Sequence, residues 1–139
     1  MCWRRCGIWV LIKEVLVSTE TNKALLRRYY DEVLNQGELS VIKELFVANL
    51  VEDFTSAVTG SRAAFPDLKV EVDDQFAEGD RVVSRWHATA THRGEFLGVQ
   101  ATGKRITITA IHIHRIEDGK IAQLWEEINL FALMKQLKG

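Results

Sequence analysis

Alternation of apolar and polar residues governs the C-terminal half of the chain and constrains its fold more than any other feature. From Leu68 onward, apolar residues recur at every second position, which is the period of a β-strand with one buried face. The clearest stretch, ITITAIHIHRIEDGKIAQLWEEINL over residues 106–130, predicts two long strands joined by a tight turn. The sequence therefore predicts an antiparallel sheet as the main element of the fold.

Turn signals divide this half into four predicted strands. Residues 78–80 and 117–119 both contain glycine and aspartate and predict turns. A looped connection punctuated by glycines carries Phe96 and Leu97 between the second and third strands. We expect the strands at residues 68–77, 81–92, 104–116 and 120–128.

The N-terminal half has helical spacing instead. We expect a first helix at about residues 19–35 that ends at Gly37, and a short second helix at 39–46. A short third helix at 57–64 should end before Pro66, because the residue before a proline avoids the helical region. A last helix is expected at 130–137. Helices followed by a run of antiparallel strands indicate an α+β domain.

The composition limits the class of protein. A chain of 139 residues with 47% hydrophobic residues fits one globular domain. A net charge of −1 excludes a bulk electrostatic attraction to nucleic acid or to an anionic membrane. The two cysteines, Cys2 and Cys6, lie outside the patterned region, and a chain without others suits the cytoplasm. With no nearby histidine, this pair is weak support for a metal site.

Residues 1–17 are expected to be an extension that precedes a single domain at 18–139. Arginines followed by an apolar run resemble the start of a signal peptide. However, Lys13 and Glu14 interrupt the run and no small-residue cleavage site follows. The run is also too short to span a bilayer.

The turn at residues 117–119 decides which ionisable groups share a face of the hairpin. A two-residue turn places His112 on the face of Glu127, whereas a three-residue loop ending in a left-handed Gly119 places it on the face of Glu126. We favour the three-residue loop, because it gathers a mostly apolar pocket with a few polar groups. The residues on that face are Ala110, His112, His114, Leu124, Glu126 and Ile128, and the other face carries Ile111, Ile113, Trp125 and Glu127.

A carboxylate beside an imidazole can supply one base and one acid near neutral pH. Glu126 and His112 are therefore the candidate catalytic pair, although a structural cross-strand pair remains an alternative. We expect His114 to be a core or rim residue, and His87 and His92 to lie at the surface or at strand ends. Two histidines two residues apart, with a glutamate, could bind a metal, but no convincing third ligand stands at a defined spacing from the histidines. We therefore expect no metal, and we expect no cofactor.

Several segments together resemble the SnoaL-like polyketide cyclase family, within the nuclear transport factor 2-like superfamily. These segments are FPDL (65–68), EGDRV (78–82), THRGEFLG (91–98), TGKR (102–105) and HRIEDGKI (114–121), and the helical segment RRYYDEVLNQGELSVIKELF also matches. The resemblance implies a cone-shaped α+β barrel in which a curved sheet wraps helices around an apolar cavity. It also implies a homodimer through the outer face of the sheet.

The resemblance further implies intramolecular aldol chemistry, with Glu126 at the family's acidic position and His112 at its histidine position. The sequence departs from the family's pattern at three places. Glu126 is one methylene longer than the usual aspartate, Ala110 replaces a polar residue, and residues 51–65 look shorter than the segment that covers the family's cavity.

The expected function is acid–base catalysis on a small apolar or polycyclic carbonyl compound in an enclosed pocket. We expect this pocket to be lined by Trp86, Phe96, Ala110, His114, Leu124 and Ile128. The alternative is a non-catalytic cone that binds a small apolar molecule. Neither function requires nucleic acid or a membrane as partner.

Overall fold

A computed structural model describes residues 18–139, and the predicted extension at 1–17 lies outside the described residues. The helices are α1 (residues 18–28, continued by π-helical turns over Tyr29–Asn35), α2 (Ile42–Leu45), α3 (Val51–Ala64) and α4 (Leu130–Lys138). The strands are β1 (Lys69–Glu78), β2 (Arg81–Thr91), β3 (Arg105–Glu117) and β4 (Lys120–Ile128). Short 3₁₀ turns, Leu39–Val41 and Ala48–Leu50, precede α2 and α3.

The four strands form one antiparallel sheet in the order β1-β2-β3-β4, which confirms the predicted α+β fold. Its inner face packs on the helices, and the core contains aromatic rings from α1 such as Tyr29 and Tyr30, together with Phe46 after α2. On the outer face, Phe76, Ile111 and Trp125 are 66%, 47% and 40% exposed. None of the helices in this described part is long and apolar enough to cross a membrane.

The expectation of a short third helix is wrong. Helix α3 has 14 residues and occupies Val51–Ala64 rather than starting near Ala57. The segment VEDFTSAVTG has several β-branched residues and a glycine, which lowers its intrinsic helix propensity. Burial of Val58 and Ala64 against the rest of the core compensates for that weakness. The helix ends at Phe65, immediately before Pro66, as expected.

The turn between β3 and β4 is also shorter than expected. Glu117 pairs with Lys120, so the loop has two residues, and both are left-handed, with φ of 50° at Asp118 and 75° at Gly119. This is the combination found in a type I′ hairpin turn. A β-bulge then leaves Ala122 without a partner, because Ile116 pairs with Ile121 and Arg115 pairs with Gln123.

The bulge restores the face that the three-residue loop was expected to give each side chain, although the pairing lies two residues further along β4 than that loop would place it. One extra residue in β4 shifts every later side chain to the opposite face. Glu126 therefore pairs with His112 on the inner face, while Glu127 pairs with Ile111 on the outer face. The predicted face is correct, but a bulge and not the turn is its cause.

Asn35 has a structural role that the sequence did not indicate. Its side chain donates from Nδ2 to the Val70 carbonyl at 2.9 Å and accepts the Val70 N–H at Oδ1 at 2.7 Å. These two bonds satisfy the backbone of β1 on its outer edge, where no other strand of residues 18–139 pairs with it. Asn35 therefore joins the end of α1 to the first strand.

Candidate functional site

Glu126 and His112 meet at the inner face of the sheet, at the mouth of a pocket between the sheet and α3. They are direct cross-strand neighbours, and the Nε2 atom of His112 lies 3.3 Å from the Oε2 atom of Glu126. The angle at this contact departs from that of a good hydrogen bond. Because the Glu126 side chain is 49% exposed, a small rotation about its own bonds can align the contact.

The two partners differ strongly in burial. The His112 side chain is only 4% exposed, and its Nε2 atom is buried beneath Glu126. The interaction with His112 holds the pKa of the Glu126 carboxyl below its usual value, and partial burial offsets this only in part. Glu126 is therefore an ionised group that can touch a molecule in the pocket, with His112 behind it.

The second nitrogen of His112 contacts α1. The hydroxyl of Tyr30 lies 3.3 Å from Nδ1 of the ring, and Tyr30 is 1% exposed. Burial raises the pKa of the Tyr30 phenol, so the hydroxyl keeps its proton at neutral pH. Sequence analysis missed Tyr30, although its place four residues after buried Leu26 puts it on the same helical face.

The pocket beside this pair has a volume of about 370 Å³. Its walls are mostly apolar, with the aromatic rings of Phe54, Phe65, Trp86 and Phe96 around it. Helix α3 contributes a wall that the sequence did not predict, with Asp53 and Ser61 as its polar members. The remaining lining residues are Tyr29, Leu34, Ala57, Val58, Leu68, Val70, Ile108, His112, Leu124, Glu126, Ile128, Leu130 and Leu133.

Four of the six expected lining residues lie at this pocket: Trp86, Phe96, Leu124 and Ile128. Ala110 and His114 do not line it. Ala110 is held between Trp86 and Ile128 on the neighbouring strands, and its small side chain stays behind theirs. His114 lies two residues nearer the turn than His112, where the rings of Tyr29 and Tyr30 cover it.

His114 is fully buried, and neither ring nitrogen has a hydrogen-bond partner. Burial lowers its pKa to about 3, and the neighbouring His112 ring adds to this effect. His114 is therefore a neutral core residue rather than a proton carrier, in agreement with the expected core position.

The other two histidines lie away from the pair. His92 is fully buried at the end of β2, where its Nδ1 lies 2.9 Å from the Thr102 hydroxyl, so only the strand-end part of its predicted placement holds. His87 is on the outer face, between Glu71 and Asp73. Within residues 18–139, no group of three or more histidine, cysteine or acidic side chains is arranged to hold a metal ion.

The pocket has an open, apolar rim. Ile128 at the end of β4 and Leu130 at the start of α4 line the pocket and are 38% and 43% exposed. Together with the half-exposed Glu126, this rim shows that the ionisable pair lies at the entrance and not on the floor of a closed chamber.

Several solved structures share this fold. AclR, a proposed hydroxylase from Streptomyces galilaeus, is 34% identical, with a TM-score of 0.78 over 86% of this chain and 82% of AclR. IdmH, a proposed polyketide cyclase from Streptomyces antibioticus, is 25% identical, with a TM-score of 0.75 over 85% of this chain and 99% of IdmH.

A proposed SnoaL-like polyketide cyclase from Jannaschia sp. CCS1 is 22% identical, with a TM-score of 0.82 over 87% of this chain and 94% of that one, which supports the fold alone. None of the curated proteins matches this chain. The family model for SnoaL-like polyketide cyclases matches residues 24–137, nearly all of the described domain. The chain therefore belongs to the SnoaL-like polyketide cyclase family.

Proposed function

We propose that the protein catalyses cofactor-independent acid–base chemistry on a small apolar or polycyclic carbonyl compound, with Glu126 as the base. The observation that carries this proposal is the Glu126–His112 pair at the mouth of an apolar pocket. An ionised carboxylate that a ligand can touch, supported by a buried imidazole, is the arrangement that proton abstraction requires.

In the proposed reaction, Glu126 removes a proton from the carbon next to a carbonyl group. The resulting carbanion attacks a second carbonyl carbon of the same molecule, so a carbon–carbon bond forms and the attacked oxygen becomes an alkoxide. Glu126 then returns its proton to that oxygen. In an isomerisation the carbanion attacks no second carbonyl and no carbon–carbon bond forms; Glu126 returns the proton to another carbon of the same molecule.

In this scheme, His112 supports the Glu126 carboxylate. As the acid of the pair, His112 would have to reach the developing oxyanion itself. Because its Nε2 atom is buried beneath Glu126, it contacts the carboxylate before it could contact a ligand. We therefore assign it the task of keeping Glu126 ionised and oriented.

The size and lining of the pocket support a small apolar substrate. A volume of about 370 Å³ lies in the lower part of the range of small-molecule sites. Aromatic rings from α3, β2 and the loop after β2 offer flat surfaces to a planar ring system.

Glu126→Gln tests the proposal, because it removes the base with almost no change in size. We expect turnover of aromatic polyketide or ketosteroid probes to fall by about a hundredfold or more, with ligand affinity nearly unchanged. Glu127→Gln is the matched control, since that carboxylate is adjacent in sequence but lies on the outer face. Equal turnover in the Glu126→Gln and wild-type proteins would contradict the proposal.

Oxygenation of the same carbanion is a second outcome of the same first step: dioxygen adds to the carbanion and the proton held by Glu126 completes a hydroperoxide, whose reduction to an alcohol takes two electrons from an external reductant such as a thiol. The 34% identity to AclR, a proposed hydroxylase, favours its inclusion. Dioxygen consumption by wild-type protein in a closed vessel with the same probes separates the two reactions. Cyclisation or isomerisation proceeds at an unchanged rate without dioxygen, whereas hydroxylation stops.

A non-catalytic binding protein is the alternative function. The half-exposed Glu126 and the apolar rim with partly exposed Ile128 and Leu130 favour it, because water has access to the pair. If ligands bind and wild-type protein turns none of them over, this alternative is correct.

We also propose a homodimer through the outer face of the sheet. One row of apolar side chains crosses all four strands in register: Phe76, Val83, Ile113 and Trp125. Phe76 is 66% exposed, and Trp125 packs under the Arg81 guanidinium at 5.1 Å. A continuous apolar row across a sheet face, with exposed residues at both ends, is typical of a surface that a second subunit covers.

A further inference from the structure

We propose that Tyr30 is a positioning residue of the site: its hydroxyl holds His112 in the tautomer that directs the Nε2 proton at Glu126. The hydroxyl lies 3.3 Å from Nδ1, and Nε2 lies 3.3 Å from Oε2 of Glu126. Each nitrogen of the ring therefore has one neighbour in place, on opposite sides of the ring.

The direction of these contacts follows from what each group can do. An ionised carboxylate only accepts hydrogen bonds, so the nitrogen facing Glu126 must carry the ring proton. In the neutral ring, Nδ1 then has a free lone pair and needs a donor. Tyr30 is that donor, and because it is 1% exposed, bulk water cannot take its place.

The contact belongs to a polar row that crosses the whole sheet. Gln75, Ser84, His112 and Glu126 lie opposite one another on β1, β2, β3 and β4. Gln75 donates from Nε2 to the Ser84 hydroxyl at 3.3 Å. The fully buried Ser84 interacts in turn with the hydroxyl of Tyr30.

This row has a single direction. Gln75 donates to Ser84, Ser84 can donate to Tyr30, Tyr30 can donate to Nδ1 of His112, and the Nε2 proton of His112 then faces the carboxylate at 3.3 Å. Donors aligned in one direction polarise one another, so the last contact is strengthened. The row thus favours the ionised form of Glu126, which is the form that a base requires.

The other groups near the pair do not supply this donor. His114 is neutral and its ring lies at 5.5 Å from the His112 ring, centre to centre. In the described residues, the titratable groups that face the pair or line its pocket are Tyr29 and Tyr30 on α1, Asp53 on α3, and His112 and His114 on β3.

Tyr30→Phe tests the proposal, with the ¹⁵N resonances of the His112 ring at pH 7 as the readout. These resonances distinguish a protonated from an unprotonated ring nitrogen and need no ligand. In wild-type protein we expect the proton on Nε2. In Tyr30→Phe we expect the fraction of the Nδ1–H tautomer to rise about tenfold, the effect of one lost hydrogen bond.

Tyr29→Phe is the matched control. It deletes the same atom from the preceding residue, whose buried ring makes no hydrogen bond to His112. We expect its His112 tautomer to equal that of wild-type protein. If Tyr30→Phe does not fold, Ser84→Ala weakens the same row from the next strand and should move the tautomer in the same direction.

A wild-type His112 with its proton on Nδ1 would overturn the proposal. An unchanged tautomer in both folded variants, Tyr30→Phe and Ser84→Ala, would also overturn it.

Only the effect on turnover depends on the proposed function. Without the Nε2 proton facing it, the Glu126 carboxylate protonates at a higher pH. The acid side of the kcat profile for the probes above should therefore move to higher pH in Tyr30→Phe, while KM stays nearly unchanged. The tautomer can change in Tyr30→Phe although neither wild-type protein nor any variant turns over a probe. In that case the positioning role of Tyr30 is correct and the catalytic function is rejected, so the two failures are distinguishable.

Discussion

At the scale of single residues, two histidines on the inner face of the sheet differ in the neighbours of their ring nitrogens. His112 has a neighbour at both ring nitrogens, whereas His114, two residues later, has none. The alternation of β3 places both rings on the same face. What separates them is the position of Tyr29 and Tyr30, which pack over His114 and offer a hydroxyl only to His112.

The burial of neutral His114 predicts a loss of stability in acid. The unfolded chain takes up a proton near the ordinary pKa of 6.5, but the folded protein does not until about pH 3. Because the unfolded state binds more protons in that window, the free energy of unfolding falls as the pH falls from 6.5 toward 3. Between pH 7 and pH 5, we expect this residue alone to cost about 2 kcal/mol.

Urea denaturation of wild-type protein and of His114→Leu at these two pH values measures this effect. The variant should lose less stability between pH 7 and pH 5, since it has no imidazole to protonate. It should also be close to wild type in stability at pH 7, because the buried nitrogens have no partners to lose. Parallel pH dependence of the two proteins would show that His114 titrates normally in the folded state.

At the scale of secondary-structure elements, two local irregularities position the site. The bulge at Ala122 sets which face of β4 carries Glu126. The π-helical turns over Tyr29–Asn35 end α1 in a wider helix, with Tyr30 over the sheet and Asn35 against β1. Such π-helical turns often occur at functional sites, and this one contains the residue that contacts His112.

Asn35→Ala is expected to loosen the contact between α1 and β1. The change removes two hydrogen bonds to Val70 and leaves its partly buried N–H and C=O without partners. We expect a destabilisation of about 2 kcal/mol by chemical denaturation. Asn49→Ala, in the 3₁₀ turn before α3, is the matched control and should change stability by less than about 0.5 kcal/mol. Equal effects of the two substitutions would remove the special role of Asn35.

At the scale of the whole molecule, the sheet carries a polar row on one face and an apolar row on the other, one residue apart along each strand. The inner row ends at Glu126 and the outer row ends at Trp125. The same four strands therefore support the candidate site with one face and the proposed subunit contact with the other.

Ile113→Asp tests the subunit contact, because it places a charge in the middle of the apolar row on the outer face. If the dimer forms there, the dissociation constant should rise by more than tenfold, as measured by analytical ultracentrifugation. Leu97→Asn is the control, since Leu97 is 60% exposed in the loop between β2 and β3. A wild-type protein that stays monomeric at high concentration would contradict the proposed dimer.

Much of this protein follows from the sequence alone. The period-two pattern predicts the four antiparallel strands, and turn residues place their boundaries within a few positions. The strands depend on local periodicity and short-range turns, which a sequence records directly. The apolar character of one face and the family resemblance indicate the pairing of His112 with Glu126, although the turn expected to produce it was wrong.

Tertiary structure decided the rest. The two-residue turn with its bulge, the full length of α3, the wall that α3 adds to the pocket and the Tyr30–His112 contact all depend on packing between segments distant in sequence. A bulge forms where burying both Ile121 and Leu124 on one face outweighs an interrupted ladder, and α3 forms because burial outweighs weak propensity. The strand pattern thus determined which residues can meet, and packing of the helices determined which of them touch.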